Sequence, residues 1–131
     1  MPTRISHIGI AVRQIIDSLP FYKEVLGLES VPLDDSDGAR IAGLAAGDSL
    51  VELLEPEQAD SPIAKFIAKR GPGIHHICFS VDDLAGTLAR CRAKGLRLID
   101  DTPRRGADGS LIAFLHPEST GGVLVELTQQ G

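Results

Sequence analysis

The segment HHICFSV, His75 to Val81, places histidine at the mouth of a short apolar run. HIGIAV, His7 to Val12, does the same near the start of the chain. Alternation and richness in Ile and Val predict a strand from Arg4 to Val12, and a second across GIHHICFSV. Two strands opening alike suggest a repeated unit, and the segments around them support it. After the first strand, DSLPFYKEVLGL predicts a helix from about Asp17 to Leu26. Asp17 would cap it, Pro20 would sit in its first turn, Gly27 would end it, and Tyr22, Val25 and Leu26 would share one face. After the second strand, Asp82 or Asp83 caps a helix with Leu84, Leu88 and Cys91 on one face, ended by Gly95.

The rest follows the same plan. DDSDG, Asp34 to Gly38, signals a turn. ARIAGLAAG and SLVELLEP read as strands joined tightly at Gly47-Asp48. Ser61 caps a short linking helix, Pro62 fits its first position and Gly71 closes it. LRLID reads as a strand, RRGADG as a loop, and SLIAFLHP and GVLVELTQQ as the last two strands. The order is strand, helix, three strands, a linking helix, then strand, helix, three strands. The expected fold is therefore α+β: a single domain over residues 1–131 built from two paired βαβββ modules that form a metal-binding β-sheet cup. Module 1 covers about 4–56, the linking helix about 61–70, and module 2 about 73–129.

The repeat also carries chemistry. LVEL occurs at Leu50 to Leu53 and again at Leu124 to Leu127. Each module thus offers a histidine on its first strand, His7 or His76, and a glutamate on its last, Glu52 or Glu126. Period-two alternation turns each glutamate to the face opposite its apolar neighbours. An ionised carboxylate inside a protein needs a compensating charge, and a divalent cation supplies it. Two imidazoles and two carboxylates suit Zn, Fe, Co, Ni or Mn and leave room for water or substrate. His75 competes with His76, but aligning His7-Ile8 with His76-Ile77 selects His76 and turns His75 the other way.

Composition narrows the partners. The net charge of −5 argues against nucleic acid, which asks for a basic face. Aromatics are only 4% with no Trp, so a base-stacking platform is not expected. Cys78 and Cys91 form no metal-finger spacing and read as buried thiols of a reducing compartment. No apolar stretch approaches the roughly 20 residues that cross a bilayer, and no targeting segment is apparent, so the expectation is a cytoplasmic protein with no membrane partner. Strand edges left by such a fold are expected to be covered in a homodimer.

SHIGIAV, VELLEP, SPIAKFIAKRG, GIHHICFSVDDL and FLHPESTGGVLVELTQ together resemble the vicinal oxygen chelate superfamily, and within it the methylmalonyl-CoA epimerases. The resemblance covers nearly the whole chain. It implies His7, Glu52, His76 and Glu126 as ligands of one divalent ion (Co, Zn, Ni, Mn or Mg) and an acyl-CoA substrate. It further implies a proton moved at C2 through an enolate; Glu126 is the first acid/base candidate, and the second group is open, with Glu52 the pseudo-symmetric choice. Some members carry a further glutamate in a G-V-x-E stretch of the third strand, where GARIAG has Ile41; many have lysine where HPEST has Glu118. Arg104, Arg105, Lys65, Lys69 and Arg70 are the cations available for substrate phosphate, and His116 either orients substrate or bonds within its own turn. The alternatives within the fold are a lactoylglutathione lyase, an extradiol dioxygenase and a metal-free binding module. Glu52 as a fourth ligand argues against the dioxygenase, and the intact ligand set against the binding module.

Overall fold

A computed structural model describes residues 3–35, 38–106 and 109–130. The chain is α+β, with eight strands and three α-helices among the described residues. It divides into two compact units, one spanning His7–His75 and the other formed by the chain from His76 onward together with the stretch before His7. Among the described residues, no helix is long and apolar enough to cross a membrane.

The first unit contains β1 (Arg4–Ala11, from His7 on), α1 (Ile15–Leu19), β2 (Glu29–Val31), β3 (Ala39–Ala46), β4 (Ser49–Pro56) and α2 (Pro62–Arg70). Its strands lie in the order β2-β3-β4-β1, with β1 parallel to β4 and the remaining pairs antiparallel. Gly47, at φ 63, makes the tight turn into β4 that the Gly47-Asp48 pair predicts. One face of this sheet buries Leu44 and Leu53 with Val12 against α1. The other packs Ala11, Ala39 and Leu54 with Ile63, Phe66 and Ile67 of α2. Ser61 caps α2 by accepting from the Ala64 N–H at 3.2 Å, Pro62 opens it, and Gly71 follows at φ 78, all as read from the sequence.

The second unit contains β5 (Gly73–Ser80, from His76 on), α3 (Leu84–Ala93), β6 (Arg104–Arg105), β7 (Leu111–Leu115) and β8 (Leu124–Gln129). Its order is β5-β8-β7-β6, with β5 parallel to β8. Leu84, Leu88 and Cys91 bury the inner face of α3 against Ala113, Leu115 and Leu127. Asp83 is the cap, accepting from the Gly86 N–H at 3.1 Å, and Gly95 ends the helix region at φ 74. Cys78 and Cys91 are both buried, and neither is in a disulfide.

The first helix departs from expectation. It starts at Ile15, two residues before Asp17, because the Ile15 N–H is already satisfied by the Glu55 carboxylate of β4 at 2.8 Å. Pro20 lies within it and has no N–H to give, and Pro20–Val25 continues as π-helix, with Leu26 N–H bonding back to the Phe21 carbonyl. The expected shared face is not a buried one: Tyr22 packs inward, while Val25 and Leu26 are exposed. The second departure is LRLID, which is not a strand; only Leu98 bridges Leu115. Asp100 explains it, since its carboxylate rather than a backbone carbonyl accepts the Phe114 N–H, at 2.8 Å. The strand on that edge is instead Arg104–Arg105, inside the segment read as loop. β2, which the sequence placed in the order without locating it, is Glu29–Val31. The DDSDG turn includes Ser36 and Asp37, and RRGADG includes Ala107 and Asp108, which lie outside the described residues.

Candidate metal centre

Strand register builds the same arrangement in each unit. In the first, His7 lies opposite Leu50 and Gly9 opposite Glu52 on the parallel pair β1–β4. Residues two apart share a face, so His7 and Glu52 are diagonal neighbours on one side of the sheet. In the second, His76 lies opposite Leu124 and Cys78 opposite Glu126, which makes His76 and Glu126 the corresponding diagonal. His7 Nδ1 is 3.4 Å from Glu52 Oε2, and His76 Nε2 is 3.4 Å from Glu126 Oε1. All four side chains are largely withdrawn from water, with exposures of 14% and 12% in the first pair and 10% and 11% in the second.

Each pair fits a metal ion on chemical grounds. Ligand atoms about 2.1 Å from one ion lie roughly 3.0–3.4 Å apart along the edges of an octahedron or a tetrahedron. The 3.4 Å spacing within each pair is of that size. A nitrogen and a carboxylate oxygen are the donors that Zn, Co, Ni and Mn share. A buried carboxylate also gains from a cation next to it.

The neighbours of the two glutamates differ. Glu126 has Cys78 on one side and Phe114 of β7 on the other. The Phe114 ring meets His76 edge-on at 6.2 Å between centroids and carries the Arg104 guanidinium over its face at 5.6 Å. Asp100 ties this group down, bonding the Phe114 N–H and pairing with Arg104 Nε at 3.3 Å. Glu52, by contrast, is flanked by Gly9 and Gly43.

The remaining sequence candidates fall into distinct places. His75 alternates away from His76 and meets the Phe66 ring of α2 edge-on at 5.0 Å. Arg70 lies over the Phe66 ring, 5.9 Å from its centroid, and Lys65 and Lys69 are exposed on the same helix. Arg105 is exposed and bonds the Gly109 carbonyl at 2.7 Å. His116 closes its own turn, its Nδ1 accepting from the Glu118 N–H at 3.1 Å. Glu118 pairs with Arg97 at 3.0 Å on the surface. Ile41 packs into the apolar cluster of α2.

Sequence reasoning missed the supports behind the ligands. Glu55 and Gln129 each stand three residues after a candidate ligand, Glu52 or Glu126, and accept the N–H of a helix's first residue, Ile15 and Leu84, at 2.8 and 2.7 Å. An odd offset puts them on the helix-bearing face. The signal was present: LVELLE and LVELTQ both place an amide or carboxylate side chain at that position. Asp100 gave no comparable sign.

Residues 6–114 match the glyoxalase/bleomycin resistance protein/dioxygenase superfamily. The mitochondrial methylmalonyl-CoA epimerase of Homo sapiens is 39% identical, over 96% of this chain and 73% of that one. An ethylmalonyl-CoA/methylmalonyl-CoA epimerase of Cereibacter sphaeroides is 37% identical over 96% and 97% of the two chains. A variant of the Streptomyces coelicolor methylmalonyl-CoA epimerase, solved in complex with 2-nitronate-propionyl-CoA, superposes with a TM-score of 0.90 at 40% identity, covering 100% of this chain and 96% of that one.

Proposed function

From its membership of the glyoxalase/bleomycin resistance protein/dioxygenase superfamily and, within it, of the methylmalonyl-CoA epimerases, to which this chain belongs, we propose that it interconverts the C2 epimers of methylmalonyl-CoA. The observation that carries the reading is the matched His–Glu diagonal of the two units, His7 with Glu52 and His76 with Glu126, in a chain aligned end to end with such epimerases.

In this reading the four residues hold one divalent ion: two neutral imidazoles and two carboxylates balance its charge. A divalent ion held by these residues would supply an electrophile for the thioester oxygen and so would lower the cost of enolate charge. The chain's own groups move the proton. Glu126 takes the C2 proton; the C–H electron pair becomes the C1–C2 double bond of the enolate, and the carbonyl π pair moves to oxygen. Glu52, released from the ligand set and protonated from water, returns that proton to the opposite face of C2 as the carbonyl re-forms, and Glu126 gives up its proton to water, which restores both carboxylates. Net charge and atoms are conserved, and the configuration inverts. Phe114 and Cys78 beside Glu126 restrict its lateral swing. Arg104 above Phe114 is the cation best placed to meet negative charge on the substrate, with Arg105 and Lys65 as outer phosphate contacts. His116 is assigned to its turn, with substrate orientation a lesser role.

The reading includes a cytoplasmic homodimer. Two buried cysteines that form no disulfide support a reducing location. Short edge strands and the exposed Ile16, Phe21, Val25 and Leu26 support a partner surface, checked by light scattering of the purified chain.

The test is exchange at C2. The chain, reconstituted with a divalent metal, is mixed with one epimer of methylmalonyl-CoA in deuterated water and followed by proton NMR. Deuterium entry with loss of configuration, abolished by Glu126→Gln, is the expected result. Metal bound at stoichiometry without exchange above the enzyme-free rate would overturn the substrate, and the glutathione hemithioacetal would be tried next.

A further inference from the structure

The two residues directly opposite Glu52 on the neighbouring strands are both glycines, Gly9 and Gly43, while His7 stands on its diagonal. Gly43 has an ordinary backbone conformation, so its lack of a side chain is a matter of room. A Cβ there would lie 2.5 Å from Leu33 Cδ1 and 3.0 Å from the Val31 carbonyl oxygen. Leu33 follows β2 and lays its isobutyl group where a β3 side chain would stand. Opposite Cβ positions on an antiparallel pair are roughly 5 Å apart. The Leu33 methyl therefore lies at the flank of Glu52, on the same face of the sheet.

Leu33 is half-buried, yet it joins none of the three apolar clusters that hold the units together. Its connecting segment is anchored separately: Asp35 Oδ1 accepts the Ile41 N–H at 3.0 Å. A leucine withdrawn from the core, pinned beside a buried carboxylate, presents an uncharged surface of fixed shape. The other glutamate has a different flank, Phe114 with Arg104 over it, which suits negative charge.

We infer that Leu33, seated on Gly43, is the wall against which the alkyl substituent at C2 of the substrate packs, and that its size sets the longest substituent accepted. The inference rests on the epimerase reading and on Glu52 lying at the reacting carbon. The substituent is the one apolar group on that carbon, and Leu33 offers the apolar surface beside the carboxylate. One methylene in an apolar pocket changes kcat/KM by about 10–200-fold.

The experiment compares C2 exchange of methylmalonyl-CoA and ethylmalonyl-CoA by the metal-reconstituted chain with Leu33→Ala, Leu33→Val and Leu33→Phe variants. Leu33→Ala should raise the ethyl-to-methyl ratio of kcat/KM about tenfold or more, Leu33→Val by less, and Leu33→Phe should lower it. Affinity for coenzyme A, which lacks the substituent, should stay unchanged in all three, as should metal content. Leu33→Val keeps the test open if Leu33→Ala fails to fold. An unchanged ratio in folded variants, with the original chain active on methylmalonyl-CoA, overturns the role of Leu33 and leaves the epimerase reading standing. No exchange of either thioester by the original chain removes the reading and the inference together.

Discussion

At the scale of single residues, similar side chains have very different weight. Glu126 and Glu118 are both carboxylates in the last quarter of the chain. Glu126 is buried beside His76, while Glu118 makes an exposed pair with Arg97 whose partners are 62% and 70% accessible. Water screens the second pair, so Glu118→Ala should change stability by less than about 1 kcal/mol in urea unfolding and leave C2 exchange as it was. Glu126→Gln keeps the shape but removes a negative donor from the proposed metal set. Metal retained after dialysis should fall at least tenfold, read by elemental analysis, because a neutral amide neither balances the ion nor binds it as well. The histidine pair reads the same way. His75 and His76 are adjacent letters, but strand alternation sends one to Phe66 and the other to Glu126.

Elements are held in place by side chains borrowed from neighbouring strands. Gln129 caps the first N–H of α3 and Glu55 that of α1. Gln129→Ala should cost about 1 kcal/mol, the usual loss for an N-terminal helix contact, measured by chemical denaturation. Gly43→Ala tests a different constraint. The new methyl meets a backbone carbonyl at 3.0 Å as well as Leu33, and a backbone atom yields less readily than a side chain. A loss of roughly 1–3 kcal/mol is expected, with a lower melting temperature. These contacts also mark where reading by pattern fails. The start of α1 was misplaced because its cap comes from β4, forty residues away in sequence. LRLID has strand composition, yet the Asp100 carboxylate takes the hydrogen bond that a strand's backbone would have made. Local propensity sees neither event.

For the whole molecule, an ion bound only by the folded chain couples metal to stability. Saturation at 100 times the dissociation constant adds about 2.7 kcal/mol. Chelation should therefore lower the melting temperature, and refilling should restore it. Histidine and carboxylate ligands bind metal in their deprotonated forms, so protons compete with the ion. The gap between metal-loaded and chelated melting temperatures should narrow as the pH falls, read by calorimetry across a pH series. The amino-acid sequence by itself determined the α+β class, the two helices with strong caps at Ser61 and Asp83, and the pairing of His7 with Glu52 and of His76 with Glu126. Each of these rests on periodicity or on a residue's own local chemistry, which a linear string retains. Only the tertiary structure decided that Leu33 stands in for a side chain at Gly43, that Phe114 and Arg104 flank Glu126, and that Glu55 and Gln129 hold the helices. Those contacts join residues far apart in the chain, and their identity depends on strand register, which is settled by packing rather than by neighbouring letters.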